Sequence, residues 1–299
     1  MTGNLRLKEY RGQYTFLSML RNVKLNFGPV ANADTHPLEQ VYLFRIFEAL
    51  SKWEQFYNYN FYIISANSEW SYELDKKSIV LYMSNEDHVL PSKLEKALMV
   101  FTPYCPLGAQ CPQNCFAIPL GYNGALEEKE FIPIEKRTYD VFFSGNMYKR
   151  RLPFWAGVQF FSFKTKIKME SADKHHLQFN RSFTGGMSSS QYSDILMNSK
   201  IALVPEGYKS NISFRFFEAA KYGTVIITKK LYDYWFFREF PGVEVDSWLN
   251  VGKYIRQLLT QPDLLETYQK KILGYYNTYC QEGVVAQFII EKISIKTFR

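Results

Sequence analysis

The sequence predicts an α/β fold in which parallel β-sheets are divided between two domains. Segment 192–228 carries a short helix, a buried strand at 201–204, a polar loop, a second helix and a second buried strand at 225–228. A strand, a helix and a strand in that order form a βαβ unit, whose strands are parallel. The chain has 299 residues, which is enough for two α/β domains with separate cores.

Further apolar patterns extend this arrangement along the chain. Buried strands are predicted at 61–65, 79–83, 100–102, 116–120, 139–144 and 162–167. Amphipathic periodicity predicts helices at 38–57, 249–259, 262–279 and 284–295. Segment 121–137 contains Gly124, Pro133 and several charges, and is predicted to link an N-terminal domain over 1–135 to a C-terminal domain over 136–299.

Composition restricts the classes of partner. The net charge of +7 favours anionic ligands. Apart from 149–151, the sequence has no cluster of Lys and Arg residues, so no nucleic-acid partner is expected. The net charge remains compatible with binding to nucleoside diphosphates, anionic glycans and anionic membrane surfaces. No run approaches the ~20 apolar residues of a membrane span, and the N-terminus lacks a signal-peptide pattern. A cytoplasmic location is therefore predicted, with peripheral membrane contact and the oligomeric state left open.

Three of the four cysteines, Cys105, Cys111 and Cys115, lie close together in the chain. Their spacing is not that of a standard zinc motif, although His88 could supply a fourth ligand. Ordinary reduced thiols in a proline-rich loop are the favoured interpretation. We therefore predict no metal site.

The loop and helix between the two strands of the βαβ unit carry the first candidate site. Pro205, Glu206 and Gly207 follow the first strand, and Asn211 or Ser213 is placed to cap the helix. Open α/β sheets bind ligands beyond the carboxyl ends of their strands, where helix N-termini attract anions. The sequence therefore predicts an anion-binding site here.

Arg215 and Glu218 lie within about 60° of each other on this helix. An arginine in the first turn of a helix is unfavourable to the helix dipole unless an anion lies nearby. A guanidinium there suits a diphosphate, and a carboxylate one turn later suits the hydroxyls of a ribose. The alternative is an exposed Arg215–Glu218 ion pair, which is common and contributes little.

The same segment resembles a known family. The strings S-K-I-A-L-V-P-E-G-Y (199–208) and S-x-R-x-x-E-A-A-x-x-G-x-V-I-I (213–227) are similar to the nucleotide-sugar half of exostosin-like glycosyltransferases, which have a GT-B fold. The resemblance is specific within 192–228 and loose over the remainder of the C-terminal half. Ile226 stands where the family usually has a proline, which affects the start of the strand more than the binding site.

The resemblance implies two Rossmann-like domains that face each other across a cleft, with the last helix as a candidate to cross back onto the N-terminal domain. It implies that Gly145 and Asn146, which follow a predicted strand, line that cleft. It also implies that Lys149 or Arg150 lies near a phosphate. A solvated helix face is the alternative for these cations.

In similar enzymes, a turn corresponding to Thr184 and Gly185 approaches the nucleotide base. The implied activity is transfer of a sugar from a nucleoside diphosphate, with UDP as the default, to an oligosaccharide or glycoconjugate hydroxyl. The sequence contains no Asp-x-Asp motif, so an inverting, metal-independent reaction is expected, with the donor as substrate and no cofactor. A fucosyltransferase-like enzyme using a GDP-sugar and a non-catalytic glycan- or nucleotide-binding module remain alternatives.

Candidates for the general base follow the predicted strand 79–83. Glu86, Asp87 and His88 occupy the position beyond a buried strand where such a base is suitably placed, and we favour Asp87. Asp34, at another predicted strand-to-helix junction, is a further candidate. Turn and N-cap chemistry explains the same residues without catalysis.

Overall fold

The computed structural model describes residues 17, 20–26, 40–106, 111–123, 126–167, 174–180 and 187–297, with the backbone alone at 40 and 162–167. Within them the strands are β1 (Val23–Asn26), β2 (Asn60–Ser65), β3 (Ser78–Met83), β4 (Met99–Thr102), β5 (Cys115–Ala117), β6 (Tyr139–Asn146), β7 (His175–Asn180), β8 (Ser199–Val204), β9 (Val225–Lys229) and β10 (Val243–Val245). The α-helices are α1 (Gln40–Leu50), α2 (Leu152–Ile167), α3 (Ser189–Met197), α4 (Phe214–Lys221), α5 (Val251–Leu259), α6 (Pro262–Tyr275) and α7 (Glu282–Thr297). Short 3-10 turns lie at Phe56–Asn58, Ser92–Lys96, Ile134–Lys136, Lys149–Arg151 and Trp248–Asn250, and a π-helical turn at Tyr276–Cys280 follows α6.

The chain divides into two compact units. The first unit contains Met1–Gly124 together with Cys280–Arg299, and the second contains Ala125–Tyr279. In its described residues each unit has a five-stranded sheet, and every pair of neighbouring strands is parallel. The fold is therefore α/β with two parallel sheets.

The sheet of the first unit has the strand order β1-β2-β3-β4-β5. Ile63 of β2 lies beside Leu81 of β3, which lies beside Phe101 of β4. These strands are apolar on both faces, as expected for a parallel sheet covered on both sides. Helix α7 packs against α1, and the Tyr42 hydroxyl donates a 2.6 Å hydrogen bond to the carbonyl oxygen of Cys280. The last helix thus completes the core of the first unit.

The sheet of the second unit has the strand order β10-β9-β8-β6-β7. Its core combines side chains of the strands with those of α2, α5 and α6. Gly223 ends α4 with a φ of +63°, a conformation that glycine adopts without strain. Strand β9 then begins two residues later, so α4 connects the adjacent parallel strands β8 and β9.

Arg137 anchors the amino-terminal edge of this second sheet. Its buried guanidinium donates 2.9 Å hydrogen bonds to the carbonyl oxygen of Ser199 and to Oγ1 of Thr224, and a 2.5 Å bond to the carbonyl oxygen of Tyr222. Burial lowers the pKa of Arg137 to about 10. The hydrogen bonds offset the cost of burying this cation.

Two local predictions are wrong. Segment 162–167 belongs to α2 rather than to a strand, because the helix that begins at Leu152 continues through it. Strand β5 ends at Ala117, before the end of the predicted strand 116–120. Pro119 lacks the N–H group that a longer strand would need.

Candidate functional site

The carboxyl ends of β6 and β8 meet at one edge of the sheet in the second unit. The two strands are parallel neighbours, with Val141 beside Ile201. Strand β6 ends at Asn146, and β8 leads through loop 205–213 into α4. This edge therefore brings the N-terminus of α4 to the end of β6, the position at which open α/β sheets bind ligands.

Arg215 lies across this edge from the first turn of α4. Its Nε donates a 2.6 Å hydrogen bond to the carbonyl oxygen of Ser144 in β6. The guanidinium carbon lies 5.7 Å from the centre of the Phe143 ring. A guanidinium has five N–H donors, and no described residue accepts a hydrogen bond from the two Nη groups of Arg215, which makes them candidate ligand donors.

Gly145 is required by this placement of Arg215. A β-carbon built on Gly145 would lie 2.3 Å from Nη2 of Arg215 and 2.7 Å from its guanidinium carbon. Any larger residue would therefore displace the guanidinium. The next residue, Asn146, is partly buried, and its carbonyl oxygen accepts a 2.9 Å hydrogen bond from Arg151.

The loop before α4 is tight and ends in a buried hydroxyl. A β-carbon on Gly207 would lie 2.5 Å from the carbonyl oxygen of Ile212, so a larger residue would not fit without movement of the backbone. Ser213 is the N-cap of α4, but its side chain makes no capping hydrogen bond. Ser213 is 7% exposed, and its Oγ has no hydrogen-bond partner among the described residues. Leaving a buried hydroxyl without a hydrogen bond lowers the stability of the fold by about 1–3 kcal/mol. A ligand that bonded to Ser213 would remove this cost, so Ser213 is a candidate ligand-binding group.

Glu218 is buried, with 4% of its surface exposed. Its Oε2 accepts a 2.6 Å hydrogen bond from the Tyr192 hydroxyl on α3. Burial, together with the negative charge of Glu218, raises the pKa of Tyr192 well above its usual value, so Tyr192 stays a neutral donor. The exposed ion pair considered from the sequence therefore does not describe Glu218. Sequence reasoning missed Tyr192 because the contact between α3 and α4 forms only in the folded chain.

The three consecutive cations after β6 have different environments. Lys149 and Arg150 are exposed, and Arg150 donates a 2.7 Å hydrogen bond to Oδ1 of Asn211. Arg151 is only 3% exposed, and its Nε and Nη2 donate to the carbonyl oxygen of Glu206 at 2.8 and 2.6 Å. Arg151, which sequence reasoning did not select, thus joins the end of β6 to the loop after β8.

Glu206 is held from several sides. Its Oε2 accepts a 3.0 Å hydrogen bond from Nε1 of Trp248, and its carbonyl oxygen accepts a 2.8 Å bond from the Tyr148 hydroxyl. Pro205, immediately before it, is buried. The contacts of Glu206 fix the conformation of the loop that leads into α4.

In the first unit, the segment that follows β3 has an unusual backbone. Ser84 and His88 have φ values of +62° and +60°. This left-handed conformation is uncommon for residues other than glycine, and such positions concentrate at functional sites. Asn85 is buried, donates to a backbone carbonyl oxygen at 3.0 Å and accepts from the Thr102 hydroxyl at 2.7 Å. The segment is thereby fixed to the end of β4.

The three candidate bases in this segment differ in access. Asp87 is exposed, whereas Glu86 and His88 are partly buried. Nδ1 of His88 lies 3.0 Å from the carbonyl oxygen of Cys105. Oδ1 of Asp87 accepts a long, 3.4 Å hydrogen bond from the N–H group of Val89. Of the three, Asp87 is the most accessible to a substrate.

The remaining predicted site residues, Asp34, Thr184 and Gly185, lie outside the described residues, and their roles stay predictions. In the part of the chain that the structure describes, no helix combines the length and apolar character needed to cross a membrane.

The two parallel five-stranded sheets define an α/β fold of the GT-B type. Sucrose-phosphate synthase (tll1590) from Thermosynechococcus elongatus is similar to this chain with a TM-score of 0.50 and 13% identity, over 92% of this chain and 82% of that one. No protein-family model and no curated protein sequence matches the chain. The narrower resemblance to exostosin-like enzymes therefore rests on the sequence motif.

Two further solved structures are similar to this chain with lower TM-scores. The GtfA/B complex has a TM-score of 0.49 and 12% identity, over 88% of this chain and 61% of that one. The chain thus spans less than two thirds of the GtfA/B chain that it matches. Anabaena Alr3699/HepE in complex with UDP has a TM-score of 0.46 and 10% identity, over 84% of this chain and 82% of that one.

Proposed function

We propose that this protein is a glycosyltransferase that moves a sugar from a UDP-sugar to a hydroxyl of an oligosaccharide or glycoconjugate. The observation that carries the proposal is the position of Arg215, which Ser144 fixes at the carboxyl edge of β6 and Gly145 accommodates. These residues lie where a GT-B sheet is open to a ligand. The motif that contains Arg215 is also the one that resembles exostosin-like glycosyltransferases.

The proposed role of Arg215 is to stabilise the leaving group. Transfer breaks the bond between the anomeric carbon of the sugar and an oxygen of the diphosphate. The nucleoside diphosphate leaves, and it gains negative charge as this bond breaks. The Nη groups of Arg215 present two coplanar donors that suit a pair of phosphate oxygens. The first N–H groups of α4 and the Ser213 hydroxyl add donors at the same helix end. Preorganised donors of this kind contribute about 10²–10³-fold each to a rate.

The proposed role of Glu218 is to bind the ribose of the donor. A carboxylate accepts hydrogen bonds from neighbouring hydroxyls, and the two hydroxyls of a ribose are both donors. The 2.6 Å hydrogen bond from Tyr192 sets the orientation of this carboxylate. Tyr192 is therefore proposed to position Glu218 rather than to contact the reacting atoms.

The proposed general base is Asp87, which would remove the proton from the acceptor hydroxyl as that oxygen attacks the sugar. A positioned base contributes about 10²–10⁴-fold. Direct attack opposite the leaving diphosphate inverts the configuration at the anomeric carbon. Because the sequence lacks an Asp-x-Asp motif, we propose that the diphosphate is neutralised by Arg215 and α4 rather than by a bound divalent ion.

Nucleotide binding tests the donor class. The melting temperature of the full chain would be measured with UDP, GDP and CMP, and UDP is expected to raise it most. A ligand that binds only the folded state stabilises it by about 2.7 kcal/mol at 100 times its Kd. Incubation with a panel of UDP-sugars and acceptor glycans, followed by mass spectrometry, would then identify the transferred sugar.

The other outcomes of this experiment point to other functions. Stabilisation by GDP alone would favour a GDP-sugar enzyme. Stabilisation by UDP without hydrolysis or transfer on any donor would favour a binding module. No stabilisation by any nucleotide would contradict the proposed donor site.

Replacing Gly145 by alanine is expected to weaken UDP binding about 10-fold, which corresponds to about 1.4 kcal/mol. The added β-carbon would push the Arg215 guanidinium away from the Ser144 carbonyl, while the fold survives because the flexible end of Arg215 can move. Isothermal titration calorimetry would measure the Kd. Gly274→Ala is the matched control, since a β-carbon there would meet no atom within 4 Å apart from its own helix backbone. Equal affinities for Gly145→Ala and wild type would contradict this account of Gly145.

A further inference from the structure

Three cysteines of the first unit have their sulfur atoms gathered at one point. Cys105 follows β4, Cys115 begins β5, and Cys111 lies in the loop between them. Sγ of Cys105 lies 3.0 Å from that of Cys111 and 3.5 Å from that of Cys115. All three sulfur atoms lie within 4.8 Å of one another.

The separations of 3.0 and 3.5 Å are shorter than those between sulfur atoms that share a metal ion, but all three sulfur atoms are close enough for one ion to bind them after a small outward movement. A tetrahedral zinc ion with Zn–S bonds of about 2.3 Å holds its sulfur ligands about 3.8 Å apart. A disulfide would bring two of them to about 2.0 Å, and none of the three cysteines forms a disulfide. The spacing of the cysteines in the sequence did not indicate a zinc site, because the fold rather than a short motif brings Cys105 and Cys115 together.

Part of the backbone of the loop that carries the cysteines cannot donate hydrogen bonds. Pro106 and Pro112 lack N–H groups, and Gln113 is exposed. Asn114 holds the far end of the loop through 3.3 and 2.9 Å hydrogen bonds to backbone carbonyl oxygens. A metal ion that joins three points of such a segment adds its binding free energy to the stability of the folded state.

We propose that Cys105, Cys111 and Cys115 bind one zinc ion as thiolates, with a solvent molecule as the fourth ligand. Cys105 and Cys115 are buried, whereas Cys111 is partly exposed and borders an open cavity of about 620 Å³, which gives solvent access to the ion. No other Cys, His, Asp or Glu among the described residues joins this group. Binding releases the thiol protons to solvent.

The zinc ion would also position the candidate base. Nδ1 of His88 lies 3.0 Å from the carbonyl oxygen of Cys105, so the metal-bound loop supports the segment that contains Asp87. The proposed role of the ion is structural, because its link to the segment runs through the carbonyl group of Cys105 to His88. Zinc binding itself does not depend on the proposed glycosyl transfer, whereas the support of Asp87 as a base rests on it.

Elemental analysis of the full chain, purified under reducing conditions without chelators, tests the proposal. About one zinc ion per chain is expected. Titration of the metal-free wild-type chain with Co²⁺ should give a thiolate-to-metal charge-transfer band and the intense visible bands of tetrahedral cobalt, which zinc then displaces. Removing zinc with a strong chelator should lower the melting temperature, and adding zinc should restore it.

Two variants locate the site. Cys111→Ser is expected to lose zinc, whereas Cys280→Ser, which replaces a buried thiol outside the cluster, should retain it. Three results would overturn the proposal: no zinc bound and no cobalt spectrum in the wild-type chain, equal zinc loss in both variants, or a mass two hydrogens lower than calculated, which would indicate a disulfide. The wild-type titration keeps the test decisive even if Cys111→Ser folds poorly.

Discussion

Replacing Arg215 by alanine is expected to lower kcat/KM for sugar transfer about 10³-fold, near the upper end of the loss seen when one preorganised donor is removed. The lost guanidinium carries the Nε hydrogen bond to Ser144 and the two Nη groups proposed to bind the diphosphate. UDP affinity should fall as well, because the proposed contact between the Nη groups and the diphosphate also forms when UDP alone is bound. Steady-state kinetics with the donor identified by mass spectrometry, together with calorimetry for UDP, would measure both losses.

The control for this experiment is Arg238→Ala. Arg238 lies in the same unit, and its side chain is 64% exposed in a 3.1 Å pair with Asp233. Its removal changes the net charge equally and should leave transfer intact. Arg215→Lys keeps the charge but not the planar fork, so an intermediate loss is expected. Full activity of Arg215→Ala in a folded protein would remove the basis of the proposed donor site.

The second large effect is expected from Asp87→Asn, which should lower kcat about 10²–10⁴-fold with little change in UDP affinity. Asparagine keeps the size of the side chain and its ability to accept the hydrogen bond from Val89, but it cannot take up a proton. The split between a large fall in kcat and an unchanged Kd for UDP is the diagnostic measurement.

The neighbouring variants make this test specific. Glu86→Gln, His88→Asn and Asp34→Asn examine the other candidate bases by the same assay. Glu54→Gln removes an exposed negative charge of the first unit and should have no effect. If Asp87→Asn weakens UDP binding but leaves kcat unchanged, Asp87 has a structural role. If kcat falls only in Glu86→Gln, His88→Asn or Asp34→Asn, the residue replaced in that variant is the base.

The parallel sheets were predictable because their central strands are buried on both faces. Strands β3 and β8 are short apolar runs bounded by polar turns, a pattern that sequence alone identifies. Segment 162–167 was mistaken for a strand since its alternating pattern gives no sign of the helix that enters it from Leu152. Local periodicity indicates which side chains are apolar, but it does not show which element continues through them.

The candidate site was predictable where it depends on one helix. Arg215 and Glu218 follow from spacing on α4, whereas the hydrogen bond from Tyr192 requires the packing of α3 on α4. Arg151 was missed because three adjacent cations are indistinguishable until burial separates one from the others. The steric need for Gly145 likewise appears only when the Arg215 side chain is in place.

The return of α7 to the first unit affects how the chain can fold during synthesis. The second unit is continuous in sequence, so it can fold once its own residues have left the ribosome. The first unit has to wait, because the partners of Tyr42 and Tyr122, at Cys280 and Glu282, follow the second unit in the sequence. The strands of the first unit therefore precede the second unit along the chain, but the unit itself is completed only after the second unit has been made.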